Sequence, residues 1–241
     1  MKIALQDVDN TKFPNLALMK ISAFHKQKGD TVRWYDPIFS SLFDKVYSSK
    51  VFTFSKEDHL IGNVEKGGSG YDIENELPHE IEHITPDYSL YNLDYSLGFL
   101  TRGCPNKCSF CIVPKKEGFI RPNADIDEFL MHNKAVLMDN NILASTHGIE
   151  QLEKIAKLGI KIDINQGLDA RLIDNGVANL LSKIKWLKPV RLACDRQSQM
   201  EYVQEAVTLL RWHKVTPRRY FVYCIIDEIG ESLSRIKFLK G

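Results

Sequence analysis

In the C-terminal three-fifths of the chain an apolar run and an amphipathic run alternate, the pair recurring roughly every thirty residues. Residues 96–100, 135–138, 160–164, 190–194 and 220–226 read as strands. Residues 124–133, 148–158, 174–185, 198–213 and 232–240 read as the helices that follow them. Gly159 ends the second helix as a C-terminal cap, and Ser198 with Glu201 suits a capping box at the fourth. Strand–helix units this short can only cross over right-handedly into a parallel sheet, so the fold class is α/β, with the strands buried on both faces or curled into a barrel. Ligands in such sheets lie at the carboxyl ends of the strands. The polar residues gather there: Asp139, Asn140 and Asn141 after the second strand; Asn165 and Gln166, with Asp169 and Arg171 beyond, after the third. Asp195 and Arg196 follow the fourth strand, and Asp227 and Glu228 the fifth.

The first strand runs into Gly103-Cys104-Pro105-Asn106-Lys107-Cys108-Ser109-Phe110-Cys111. Gly103 and Pro105 break any regular element that would splay the thiols, so Cys104, Cys108 and Cys111 can converge on one metal centre. Four-iron clusters normally take four cysteines, and a set of three leaves one iron open to a reacting ligand. Zinc usually takes cysteine pairs separated by a longer spacer; a zinc site here would need a distant His as fourth ligand, because no second pair exists.

The Cys-x3-Cys-x2-Cys spacing, with aromatic Phe110 before the last cysteine, resembles the radical S-adenosylmethionine (radical SAM) superfamily. Ile112-Val113-Pro114 and the basic Lys115, Lys116 and Arg121 add to the likeness. The resemblance implies a [4Fe-4S] cluster on the three cysteines and S-adenosyl-L-methionine as the ligand of the open iron. It also implies a reduced electron donor such as flavodoxin or ferredoxin. Asp139, Asn140 and Asn141 occupy the place of the family's Gly-Gly-Glu segment and, with Phe110, Asn165, Gln166 and Asp195, become the expected contacts of the cofactor. The fold implied is a partial (β/α) barrel over residues 94–241. The superfamily core has six units and five are visible, so the expectation is a core lacking its last unit. The substrate does not follow from the resemblance.

Residues 1–70 read as a small Rossmann-like domain, strand–helix–strand, with the helix at 14–28, Pro14 in its first turn and Gly29 at its end. Further strands are expected at 31–35 and 45–54, and residues 71–93 are expected to be a linker. The order resembles the cobalamin-binding domains that precede many radical SAM cores. The nearest string to their Asp-x-His-x-x-Gly ligand motif is 57–62, Glu-Asp-His-Leu-Ile-Gly, misplaced and without its first Asp, which argues against cobalamin and makes His59 an exposed loop residue. Gly67-Gly68-Ser69-Gly70 reads either as a phosphate loop or as a bland turn. A methylthiotransferase would need three further N-terminal cysteines, and residues 1–103 contain none. From a different class, the motif suits a noncatalytic iron–sulfur or zinc module.

A net charge of +1 without long like-charged runs gives no indication of nucleic acid or an acidic membrane as partner. No leader opens the sequence and no apolar run reaches the roughly 18 residues of a spanning helix. Of five cysteines, Cys194 and Cys224 stand alone in apolar runs and read as buried strand residues. That is the usage of a reducing compartment, so a cytoplasmic protein is expected.

Overall fold

A computed structural model describes residues 1–57 and 59–240. The chain forms two compact units, Met1–Asp94 and Tyr95–Gly241. Both are mixed α/β with parallel sheets.

In the first unit β1 (Lys2–Asp7), α1 (Leu16–Gln27), β2 (Thr31–Trp34), β3 (Lys45–Ser49) and β4 (Val64–Gly67) form a parallel sheet in the order β2-β1-β3-β4. Ile3 and Leu5 of β1 pack against Leu18 and Ile21 of α1, with Tyr47 and Ile81 completing the core. Proline does not open α1: Asn15 caps it, its side chain accepting from the Leu18 N–H, and Pro14 precedes the cap. The strand expected at 45–54 stops at Ser49, because the Val51 and Phe52 N–H groups turn aside to the Asp9 carboxylate at 2.6 and 3.2 Å. Residues 71–93, read above as a linker, are packed on this unit. The short helix α2 (His79–Glu82) buries Ile81, and Asp87 accepts from Ser22 Oγ and Lys26 Nζ, each at 2.6 Å.

The glycine segment is a turn packed tightly against the backbone at Lys50. Gly68 has φ +96°, and a Cβ there would collide with the Lys50 carbonyl oxygen, while one on Gly70 would lie 2.8 Å from Lys50 Cγ. The turn therefore closes onto the backbone that leaves β3. Gly68→Ala combines left-handed strain with this collision, and we expect a loss of roughly 2–4 kcal/mol in urea unfolding. Gly62→Ala has the strain (φ +106°) without any atom in the way, and it should cost only about 1–2 kcal/mol; equal losses would show that the close approach contributes nothing. Asp58 of the string 57–62 lies outside the described residues. Glu57 pairs with Lys50 at 2.8 Å and Lys66 at 2.7 Å, which hold its carboxyl down at about 2. His59 is exposed.

The second unit contains β5 (Ser96–Gly98), β6 (Thr101–Arg102), α3 (Val113–Lys116), β7 (Arg121–Pro122), β8 (Lys134–Leu137), α4 (Thr146–Leu158) and β9 (Lys161–Ile164). There follow α5 (Asn175–Ser182), β10 (Lys185–Trp186), β11 (Val190–Ala193), α6 (Met200–Trp212), β12 (Tyr220–Tyr223) and α7 (Ile229–Lys240). β5, β8 and β9 pair in parallel in sequence order, and β10 adds to β9. A single parallel bridge, Leu168 to Leu192, links the stretch after β9 to β11, which pairs in parallel with β12. β6 and β7 form a small antiparallel hairpin around the cysteine loop.

Alternation along the strands sorts the side chains. Ala135, Leu137, Ile162, Ile164, Val190 and Leu192 enter the core with Leu152 and Ile155 of α4 and with Val203, Ala206 and Leu210 of α6. Each such Val, Leu or Ile contributes about 1.5–3 kcal/mol by burial, and each alanine less. Asp163 and Arg191 alternate with them and pair with each other, so the strands are not apolar on both faces.

Three expectations fail locally. The helix expected at 124–133 is one 3₁₀ turn, Ile126–Glu128, capped by Asp125 with Glu128 reaching back to the Asp125 N–H. It cannot continue, because the Met131 and His132 N–H groups donate to Ser96 Oγ at 2.9 and 3.1 Å. The helix expected to reach 185 stops at Ser182, and Lys185 and Trp186 form β10. No Ser198–Glu201 capping box forms at α6. Gln199 Oε1 accepts instead from the Asp195 and Arg196 N–H groups, at 2.7 and 3.0 Å, folding the loop over the helix start. Gly159 does cap α4, with φ +67° and its N–H on Ile155 O. Among the described residues no helix is long and apolar enough to cross a membrane.

Candidate functional site at the carboxyl ends of the strands

The cysteine loop leaves β6 through Gly103, whose φ is +79°. A Cβ at this position would collide with Phe119 O and stand 2.8 Å from Gly118 O, while the Cys104 N–H donates to Gly118 O at 3.2 Å. Only glycine lets the loop lie this close to the 117–119 backbone. Glu117 closes the base. Its carboxylate accepts from Arg102 Nη1 at 3.1 Å, from the Gly103 N–H at 2.9 Å and from Asn140 Nδ2 at 2.7 Å. One acid thus joins the loop to the turn after β8. The sequence offered a faint signal for it, a lone acid directly after Lys115 and Lys116 and six residues past the last cysteine.

Cys104, Cys108 and Cys111 are free thiols, each partly exposed. The Cys108 thiol is pushed up by burial and then by the negative charge of Cys111 and Cys104, against the pull of Arg196 and Arg171. The Cys108 sulfur therefore senses the other two, and the guanidiniums of Arg196 and Arg171 pull against that effect. Among the described residues no three His, Cys, Asp or Glu side chains are gathered closely enough to hold a metal ion. The thiols share a loop without converging on a single point. In a multi-iron cluster each thiolate binds a different iron, so its sulfurs stand farther apart than the ligands of one ion.

The turn after β8 is oriented inward. Asp139, 1% exposed, accepts through Oδ1 from the Leu100 N–H at 3.1 Å, the Thr101 N–H at 2.5 Å and Thr101 Oγ1 at 2.7 Å. Burial raises its carboxyl to about 6 in spite of these bonds. Its Oδ2 is buried with no partner, as is Oδ1 of Asn141. Asn141 Nδ2 reaches Cys104 Sγ at 3.7 Å and Asp169 Oδ2 at 3.4 Å. Asp169 in turn accepts from Asn106 inside the cysteine loop at 3.1 Å and from Arg171 at 2.6 Å. Against its burial, the Arg171 and Asn106 bonds hold the Asp169 carboxyl below the ordinary range. Asn141, Asp169, Arg171 and Asn106 thus form one network with the loop; a local reading treats Arg171 as equally suited to a solvated ion pair.

Phe110 and Asp195 share a cavity of about 400 Å³, lined also by Ser109, Arg196, Ile225 and Asp227. Phe110 is 48% exposed. Asn165 and Gln166 turn elsewhere: Asn165 O accepts from the Tyr223 hydroxyl at 3.0 Å, and Asn165 Oδ1 accepts from Gln166 Nε2 at 3.3 Å. Six of the ten residues singled out from the sequence, Cys104, Cys108, Cys111, Asn141, Phe110 and Asp195, thus belong to the loop, its network or the adjoining cavity. Asn140 is tied to the loop through Glu117, and Asp139 buttresses the corner beneath it.

The chain matches no protein-family model, and no curated protein is significantly similar to it. The functional reading therefore stands on the residues and their geometry.

Proposed function

We propose that the protein is a radical SAM enzyme, with a [4Fe-4S] cluster on Cys104, Cys108 and Cys111 and S-adenosyl-L-methionine in the adjoining cavity. The observation that carries this reading is the Cys-x3-Cys-x2-Cys loop with Phe110, which leaves the short strand β6 a few residues after β5, the first strand of the parallel sheet. The donor set suits the group: three soft thiolates on one loop, positive charge from Arg171 and Arg196, and an amide on the Cys104 sulfur. When bound, the cluster and its ligand supply reductive cleavage of a carbon–sulfur bond and so start radical chemistry on a substrate. The finer fold belongs to the same reading, a partial (β/α) barrel running β5, β8, β9, β11 and β12, with a Rossmann-like unit before it.

The chain's own residues bind and orient. Glu117 and Gly103 fix the loop against the hairpin. The unpartnered Asn141 Oδ1 and Asp139 Oδ2 are acceptors for an ammonium, buried at the site with nothing to satisfy them. Phe110 offers an aromatic face to a planar base, and Asp195 a carboxylate to hydroxyls across the cavity. A reduced flavodoxin or ferredoxin is the electron donor in this reading, cobalamin has no part, and the compartment is cytoplasmic.

Anaerobic reconstitution with iron and sulfide should give a brown protein whose spectrum shifts on adding S-adenosylmethionine and which yields 5′-deoxyadenosine on reduction. A second reading, a noncatalytic iron–sulfur or zinc module, draws on the thiols' failure to converge in the polypeptide alone. A colourless zinc-loaded protein, or a cluster whose spectrum ignores S-adenosylmethionine, would overturn the enzyme in favour of the module.

A further inference from the structure

We propose that Cys194 and Cys224 form a redox-active dithiol across β11 and β12, closing reversibly to a disulfide at the rim of the cavity beside the cysteine loop. β11 and β12 run parallel with Ala193 opposite Tyr223, and the Cys194 N–H donates to Tyr223 O at 2.8 Å. The next pair in this register is Cys194 with Cys224. Neighbouring strands stand about 4.8 Å apart, inside the roughly 4.4–6.8 Å Cα separation that a disulfide spans. Both are free thiols, and burial, followed by the neighbouring Cys224, pushes the Cys194 thiol up.

The two sulfurs are not equivalent. Cys194 is wholly buried in the core, whereas Cys224 is partly exposed. Arg235 of α7, 1% exposed, donates its Nε–H to Cys224 Sγ at 3.4 Å. Its Nη2 is held by Ile225 O at 2.6 Å, Ser232 Oγ at 3.1 Å and Asp227 at 3.1 Å. Cys224 thus meets a solvent-borne oxidant first, and Cys194 resolves the product from inside. With hydrogen peroxide the Cys224 sulfur attacks one oxygen, the O–O bond breaks, and Cys224 sulfenic acid and one water result. The Cys194 sulfur then displaces the sulfenic oxygen as a second water, forming the S–S bond. Two thiols lose two electrons and one peroxide gains them.

An in-register parallel pair holds its Cβ atoms farther apart than the roughly 3.8 Å of a relaxed disulfide, so the bridge is strained and readily reduced, as a reversible one must be. Closure reaches the cavity directly. Asp195 and Ile225 follow the two cysteines, the Ile225 N–H donates to Asp195 Oδ1 at 3.0 Å, and both residues line the cavity with Ser109 and Phe110. Drawing the strand ends together displaces that wall.

The test is cysteine mapping on the reduced full-length protein after hydrogen peroxide, by mass spectrometry of the non-reduced digest. The expected product is a linked pair of peptides carrying Cys194 and Cys224, two hydrogens lighter than their sum and separated by dithiothreitol. In Cys194→Ser, dimedone should label Cys224; in Cys224→Ser, Cys194 should stay an unlabelled thiol. The proposal is overturned if both cysteines remain free thiols while the other three oxidise, or if Cys224 bridges to Cys104, Cys108 or Cys111. Because each cysteine is mapped separately in the unreconstituted protein, the outcome is independent of whether the chain binds iron or acts as a radical SAM enzyme.

Discussion

Replacing Cys108 with alanine is expected to lower iron uptake on anaerobic reconstitution from about four atoms per chain to none, and to abolish 5′-deoxyadenosine formation. Cys104→Ala and Cys111→Ala should behave alike, because two thiolates cannot hold a cluster that uses three and keeps one iron open. The effect is all-or-none and not graded, because each of the three thiolates is the sole protein ligand of its own iron. Cys194→Ala provides the contrast. Its sulfur lies in the β11 core, outside the loop, and that variant should take up the full complement of iron. Iron and sulfide analysis with electron paramagnetic resonance decides the matter. Undiminished iron in all three loop variants would sink the cluster assignment, and zinc in place of iron would move the protein to the module reading.

The second large effect is on stability and centres on Asp139. Asp139→Ala leaves the Leu100 and Thr101 N–H groups buried without acceptors, and each such group costs about 1–3 kcal/mol. The loss expected in urea unfolding at about pH 4, where the folded-state carboxyl keeps its proton, is therefore roughly 3–5 kcal/mol. Asp139→Asn keeps the Oδ1 acceptor and imitates the protonated acid, so it should be far milder. The same residue gives the unfolding curve a pH dependence. Its carboxyl is raised from an ordinary 3.8 to about 6, so between those values the folded state holds a proton that the unfolded state has released. Stability from this group is fully present below about pH 4 and is lost as the pH rises through about 6, by on the order of 3 kcal/mol. Asp169, held low by Arg171 after its burial is overcome, acts in the opposite sense: its contribution is present above the ordinary carboxylate range and fades as the pH falls. The informative quantity is therefore the difference between wild type and Asp139→Asn across pH 4–7. A difference that stays constant over that range would show that Asp139 does not titrate there.

Much of this architecture could be read from local pattern. The apolar runs at 135–138, 160–164 and 190–194 fall on β8, β9 and β11, and Gly159 stops α4 as a C-cap should. Such features depend on neighbours within a few residues, which the sequence displays directly. The misreadings share a different cause. The turn at 126–128 cannot lengthen because Ser96, some thirty positions earlier, takes the N–H groups a helix would use. β3 ends early because Asp9 claims the Val51 and Phe52 N–H groups. In both cases a distant side chain outcompetes the local ladder.

The candidate site divides in the same way. The thiol loop, its Gly103 and Pro105, and its place after a strand are properties of nine consecutive residues, and the sequence by itself determined them. Only the tertiary structure decided that Asp139 turns inward to buttress β6, that Glu117 ties the loop to Asn140, and that the Cys194 N–H meets the Tyr223 carbonyl at the end of the β11–β12 pair. These facts depend on the register between strands twenty to forty residues apart in the chain. Register is set by how whole strands and helices pack, and no local window of sequence contains it.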